Sequence, residues 1–337
     1  MRQKGIVACF GEVLLRYSSS GGQDLRNAAA LDVYPGGAEA NVAVGLANLG
    51  RATRMISALP ANELGALARR ALLREGVDTS FIDEAPGRMG IYYVTPAGPL
   101  RQSSVIYDRA GSSFALHRDL DATAALENAQ HLHVSGISLA VSEASRASTL
   151  ALAQHARDKG LTISFDGNYR PALWHTQNCD PQPVIAQMVR LTDLFFGNHK
   201  DMGLLLARDF SGTAAARRRE AAITGFAAFP NLSAIASTAR HVDETDTHHI
   251  VGRIDTPSTE VQSSERVLAN VVDRIGTGDA FAAGIIDGWL DDPKDLTRAL
   301  DQGMALAGLK HYARGDFSLA RRTELQTAIM GSGDVLR

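Results

Sequence analysis

Cysteine is scarce in this 337-residue chain, occurring only as Cys9 and Cys179. Neither has a C-x-x-C neighbour, and the N-terminus lacks the basic-then-apolar run of a signal peptide, so a reducing cytoplasm is the expected location. A surplus of one charge is also missing. The 34 Lys+Arg against 37 Asp+Glu leave a net charge of −3, which offers no electrostatic case for nucleic acid or anionic lipid as a partner. No apolar run is long and unbroken enough for a membrane. The longest uncharged stretch, residues 221–239, is interrupted by Pro230 and Asn231 with Thr224, Ser233 and Ser237 nearby, and reads as a helix end, a turn and a buried strand. Internal repeats and low-complexity segments are absent. The one charge block, Arg217 to Arg219, reads as a solvated helix face.

What the chain does contain is an ordinary globular balance, 45% hydrophobic and 21% charged, with enough length to bury a large core. One main domain with an appendage is expected over residues 1–337. Short apolar or β-branched runs (residues 5–10, 131–134, 161–165, 194–196 and 234–236) alternate with helical patterns such as residues 38–49 and 143–159. That alternation predicts an α/β fold with a mostly parallel central sheet flanked by helices. Residues 88–115 break it: residues 90–95 and 103–107 flank the turn-forming residues 96–99 with no helix between, which predicts a β-hairpin. Together with residues 12–35 it would form a small β-strand lid.

The segment richest in chemistry runs from Asp273 through Arg274, Ile275, Gly276, Thr277, Gly278 and Asp279. Residues 266–273 read as a strand, and an apolar-periodic helix follows the Gly-x-Gly turn. Such a turn presents successive backbone N–H groups at the positive end of a helix, where a phosphate is held without a lysine. Gly276, Thr277 and Gly278 would supply that cradle. Asp279, in the first helical turn, would accept a proton from a hydroxyl lined up against the same phosphate. Taken alone, the segment is equally satisfied by a tight turn with a favourable first-turn acid. A dinucleotide fingerprint is excluded because Phe281 stands where its third glycine belongs, and Gly45 to Gly50 lacks the Lys-Ser/Thr of a Walker loop. Nearer the N-terminus, Pro35-Gly36-Gly37 and Asn41 open a helix. Paired glycines let a backbone approach a polyhydroxylated ligand, and Asn41 offers both a donor and an acceptor.

Gly36, Gly37 and Asn41 near the start and Asp273 with Gly276-Thr277-Gly278-Asp279 near the end resemble the two signatures of ribokinase-like (PfkB) carbohydrate kinases. The resemblance runs over nearly the whole chain. It implies a Rossmann-like ribokinase fold with a strand lid, ATP and Mg²⁺, and phosphoryl transfer to a sugar hydroxyl with Asp279 as base. It leaves a monovalent cation such as K⁺ open near Asp273. Asn198 to Asp201 is similar to the family's Asn-x-x-Glu element of the Mg²⁺–phosphate region, with the shorter Asp201 replacing Glu, so that its metal role is indirect. The nucleotide-side segment, often Thr-x-Gly, departs to Ser237-Thr238-Ala239-Arg240. Residues 305–311, including Lys310, resemble the helix beside the adenine.

Within the family, Arg16 with its preceding residues, Tyr107 to Ser112, Phe165 to Pro171 and Asp273-Arg274-Ile275 look most like 2-keto-3-deoxygluconate kinases. That resemblance implies sugar contacts from Gly36, Tyr92, Tyr107, Arg109 and Arg170. Guanidinium groups suit the carboxylate of a sugar acid. Either arginine could instead pair with Asp108 or Asp166, and a register slip of one would bring Tyr93 inward for Tyr92. His241, His248 and His249 around residues 243–247 read as an exposed hairpin rather than a metal site. A fructokinase or another sugar or nucleoside kinase on the same fold is the nearest alternative, and a sugar-acid or nucleotide sensor without turnover is the alternative of another class. An uncovered strand lid also implies a homodimer.

Overall fold

The computed structural model describes residues 5–20, 23–95 and 104–331. Its strands are β1 (Ile6–Phe10), β2 (Leu14–Ser19), β3 (Leu31–Gly36), β4 (Thr53–Leu59), β5 (Asp78–Glu84), β6 (Gly90–Thr95), β7 (Ser104–Asp108), β8 (Ala129–Ser135), β9 (Thr162–Asp166), β10 (Leu194–Phe196), β11 (Ala234–Val242), β12 (His248–Asp255), β13 (Glu260–Gln262) and β14 (Arg266–Leu268). Ten of them form one sheet in the order β13-β12-β11-β10-β9-β8-β1-β4-β5, with β14 beside β12. From β5 to β11 every pairing is parallel, and the antiparallel strands gather at the β12 edge.

Parallel strands covered on both faces must be apolar on both sides. All seven residues of β4 are buried, as is the Leu-Phe-Phe of β10. In β1 the two-residue period divides the core: Val7 and Cys9 enter the cluster containing Leu46, Ile285 and Leu306, while Ala8 and Phe10 enter the one containing Leu132, Phe165 and Phe195. The first cluster seats helices Ala38–Asn48, Thr277–Asp291 and Leu296–His311. The latter two approach so closely that a Cβ on Gly284 would lie 2.6 Å from the Gln302 carbonyl oxygen. This packing holds the start of the helix Thr277–Asp291 in place.

A second sheet, of order β3-β2-β6-β7, stands beside the first. Its register sets Tyr34, Arg16, Tyr92 and Tyr107 in one row and Val33, Tyr17, Tyr93 and Ile106 in the next. Successive rows point to opposite faces. The first row is the inner one, since Arg16 and Tyr92 are buried whereas Val33 and Ile106 are exposed. Tyr92 is therefore the inward residue, and Tyr93 stacks on Tyr17 at a centroid distance of 5.6 Å. The predicted hairpin is present as antiparallel β6 and β7, and its turn, residues 96–99, lies outside the described residues.

The long strand expected over residues 266–273 is a correction. β14 ends at Leu268 because Asn270 takes a left-handed conformation (φ 55°) that no strand continues through. Residues 221–239 are a helix end, a turn and the start of β11. The expected hairpin joins β11 to β12, with His249 between Asp243 and Glu265. Among the described residues no helix is long and apolar enough to cross a membrane.

Candidate active site

Gly276 caps the helix Thr277–Asp291 from a left-handed conformation (φ 79°), and a Cβ there would run into the carbonyl oxygen of Asp316. Only glycine makes this turn without strain. The Thr277 hydroxyl donates to the Arg274 carbonyl at 3.0 Å, bracing it. The first intrahelical bond of the turn is Ala280 N–H to the Gly276 carbonyl at 2.9 Å, so helix geometry leaves the amides before it without helical partners. Gly278 is exposed and lines a cleft of about 360 Å³.

The helix Ala38–Asn48 reaches the same point from the N-terminal half. Gly37 opens it at φ 135°, and one turn later Asn41 Nδ2 donates to Asp279 Oδ2 at 2.6 Å. The two glycine-led motifs, 238 residues apart, thus meet at one carboxylate. That bond occupies one oxygen of Asp279 and leaves the other for a ligand. The Asp279 carboxyl is pushed up to about 7, first by loss of water around it and further by the charges of Asp316 and Glu39; the Asn41 bond and Arg170 oppose this. Glu39 is itself buried and accepts from Ser135 N, Ser135 Oγ and Ser138 Oγ at 2.7–2.9 Å.

The cleft brings together Arg170, Asn198, Asp201, Ser237 and Gly278 of the expected site, together with Asp166 and Lys200. Asn198 and Asp201 form a reciprocal cap on the helix His199–Leu206, with Asn198 N donating to Asp201 Oδ2 at 2.7 Å. Desolvation raises the Asp201 carboxyl. It also pushes Asp166 up to about 8, helped by the charges of Asp279 and Asp201. Arg170 is exposed at the cleft wall, and its guanidinium donates to the neighbouring Tyr169 carbonyl at 3.2 Å.

Other expected residues sit differently. Arg109 is buried and committed to Glu12, with Nε 2.7 Å from Glu12 Oε2. It therefore has neither of the pairings weighed for it from sequence, and Asp108 pairs with Arg88. Tyr107 is exposed, its ring 6.1 Å from that of Tyr92. Lys310 does not reach the cleft: its ammonium donates to the Ala313 carbonyl at 2.8 Å and lies 3.5 Å from the Asp273 carbonyl, because its helix ends against that loop. Arg240 lies beyond the cleft-lining part of β11, on the same strand as Ser237.

Besides Asp166, two residues beneath the cleft, Asp316 and Arg16, were assigned no role from sequence. Asp316 is buried between Gly36, Gly276 and Tyr92, whose hydroxyl it accepts. Its carboxyl is pushed up to about 6, chiefly by burial. Arg16 grips Asp273 with both terminal nitrogens, at 2.6 and 3.2 Å. The single signal for Asp316 is its position after Gly315, which is too little to single it out. A larger cleft of about 790 Å³ lies at the far end of the helix Thr277–Asp291, where Arg51, Asp291 and Arg322 are engaged in ion pairs.

A mainly parallel sheet with helices on both faces, a small strand sheet beside it and a glycine-led helix start presenting a carboxyl define a ribokinase-like fold. The chain belongs to the pfkB family of carbohydrate kinases, whose sequence model matches residues 6–224. It is similar to the 2-dehydro-3-deoxygalactonokinase of Haloferax volcanii, with 29% identity over 326 residues that make up 96% of each chain. It is likewise 29% identical to the 2-dehydro-3-deoxygluconokinase of Bacillus subtilis over 317 residues, 91% of this chain and 90% of the relative. The solved 2-dehydro-3-deoxygluconokinase of Thermotoga maritima superposes with a TM-score of 0.89 at 29% identity, covering 97% of this chain and 100% of that one.

Proposed function

We propose that this carbohydrate kinase transfers the γ-phosphoryl group of ATP to the C6 hydroxyl of 2-keto-3-deoxygluconate, with Asp279 as general base. The observation that carries the reading is the Asn41–Asp279 bond at the head of the Gly276 turn beside the acidic cleft. Asn41 fixes the carboxylate so that its free oxygen takes the proton of the attacking hydroxyl. The new bond forms between O6 and the γ-phosphorus, and the bond from that phosphorus to the β,γ-bridging oxygen breaks, releasing ADP. The Gly276, Thr277 and Gly278 amides receive charge that develops on the transferring group.

The cleft residues Asn198 and Ser237 serve the nucleotide, whereas Lys310 and Arg240 stand outside the cleft and act there only indirectly. Mg²⁺, when bound, neutralises phosphate charge. Asp166 and Asp201 suit it, since both carboxyls line the same cleft as Gly278, and Mg²⁺ commonly needs only one or two carboxylates beside the phosphates. A monovalent cation at Asp273 is not part of this proposal, because that carboxylate already accepts from Arg16, Ile275 N and Gly315 N.

On the sugar side, the inner row of the small sheet (Tyr92 and Tyr107) with Gly36 and Gly37 would face the sugar, and Arg170 would hold its carboxylate from the cleft wall. Arg109 would contribute by way of Glu12. Residues 12–35 and 88–115 would act as the lid that excludes water. The exposed outer row, with Val33 and Ile106, fits a second copy of the chain, giving a homodimer.

The test is ADP release by the purified protein with Mg²⁺ and 2-keto-3-deoxygluconate beside fructose, ribose and adenosine. The C4 epimer, 2-keto-3-deoxygalactonate, is included because of the name borne by the Haloferax volcanii relative. Preference for a sugar acid supports the reading; turnover of fructose, ribose or adenosine alone replaces its substrate, and no turnover at all favours a sensor. Asp279→Asn separates the last case, since a kinase loses roughly 10²-fold or more in kcat while keeping sugar binding.

A further inference from the structure

A buried guanidinium helps join the small sheet to the Gly276 turn. Arg16, in the inner row of the small sheet, is 2% exposed. Its guanidinium lies over the Tyr34 ring, 4.6 Å from the centroid, and both terminal nitrogens bond Asp273. Asp273 in turn accepts from Ile275 N at 3.0 Å and Gly315 N at 3.1 Å, so it ties the chain entering the Gly276 turn to the loop that carries Asp316.

Asp316 completes the link. Its backbone oxygen abuts Gly276, and its carboxylate abuts Gly36 and accepts from Tyr92. Arg16 Nε lies 3.1 Å from Asp316 Oδ1. Yet the N–H is not aligned on that oxygen, and both atoms are buried without a hydrogen-bond partner. An unmade bond between a buried cation and a buried carboxylate is costly to leave open. A small shift of the sheet would complete it.

We propose that Arg16 is a positioning residue that couples sugar binding to nucleotide binding, by aligning on Asp316 when the sugar seats the small sheet and so fixing the Gly276 turn for the phosphates. The inference rests on the sugar and phosphate sides assigned above. Charge supports it. Asp273 and Asp316 flank a turn meant to receive a polyanion, and Arg16 offsets both. Burial disfavours its charge, but the two carboxylates outweigh that and raise the guanidinium further. Lys310, a second cation close to both carboxylates, is tied to the Ala313 and Asp273 carbonyls. Lysine at position 16 would keep the charge but could not reach both carboxylates in a fork.

The experiment is calorimetric titration of a non-hydrolysable ATP analogue with Mg²⁺, with and without saturating sugar acid. The wild-type chain is expected to bind the analogue about 10- to 100-fold more tightly when the sugar is present. In Arg16→Lys that factor falls to within about threefold of unity. A purely structural role would lower the melting temperature and leave the factor as in the wild type, which overturns the proposal, as does a wild-type factor of one. If Arg16→Lys does not fold, Tyr34→Leu removes only the ring beneath the guanidinium, and coupling at full strength in that variant also refutes the idea. Failure of the kinase reading is distinct, because it shows as absence of turnover in the wild type.

Discussion

Asp279, the proposed base, is held by one hydrogen bond and has a carboxyl raised to about 7. A general base works only when deprotonated, so kcat/KM should rise with pH through about 7 and level off above it. A pH–rate profile flat from 5 to 9 would count against Asp279 as the base. The charged and titratable groups that influence it are Asp316, Glu39, Asp166, Tyr92, Arg170 and, at longer range, Lys310. The two arginines assigned to the sugar acid are separable at the same scale. Arg170→Ala removes an exposed side chain and should raise KM for the sugar acid roughly tenfold or more without moving the melting temperature. Arg109→Ala strands the buried Glu12 carboxylate and should cost about 3–5 kcal/mol of stability, read by urea unfolding. Glu12 itself could not be paired with Arg109 from sequence, since 97 residues separate them.

At the scale of elements, the start of the helix Thr277–Asp291 decides whether the site exists. Gly276→Ala places a Cβ against Asp316 and demands φ 79° of an L-residue. Shifting this turn by even about 1 Å should lower kcat roughly 10²-fold. Kinetics and a thermal melt check the outcome together, because a fold intact with normal kcat would show that the turn is not the phosphate cradle. The glycines, the helix and its acid were legible locally, since turn chemistry and helical period are short-range signals. The length of β14 was not, because Asn270 enters the left-handed region by choice of loop path rather than by any pattern in residues 266–273. The inward face of β6 was likewise undecided until its register placed Tyr92 beside Arg16.

Across the whole molecule, Asp287 is fully buried and joined to Arg51 and Arg322. It thereby ties the helix Thr277–Asp291 to the segment before β4 and to the helix Arg322–Met330. Asp287→Ala leaves two guanidinium groups without that carboxylate and should cost about 3–5 kcal/mol. Urea midpoints measure it, and a loss below about 1 kcal/mol would mean the network is not a tie. The outer row of the small sheet makes the other prediction at this scale. With Ile106 58% exposed beside Tyr93, at the other end of the row that begins with Val33, Ile106→Asp should convert the proposed dimer to a monomer in sedimentation analysis.

The sequence by itself determined the alternation of strands and helices, the hairpin, the glycine turn with its acid, and the family those motifs resemble, because each depends on residues close together in the chain. Tertiary structure alone decided that Asn41 touches Asp279, that Arg109 belongs to Glu12, that Lys310 turns away from the cleft, and that Arg16 and Asp316 lie beneath the site. Those contacts join segments tens to hundreds of residues apart. Their geometry is set by sheet order and by the close packing of helices, which no local pattern encodes.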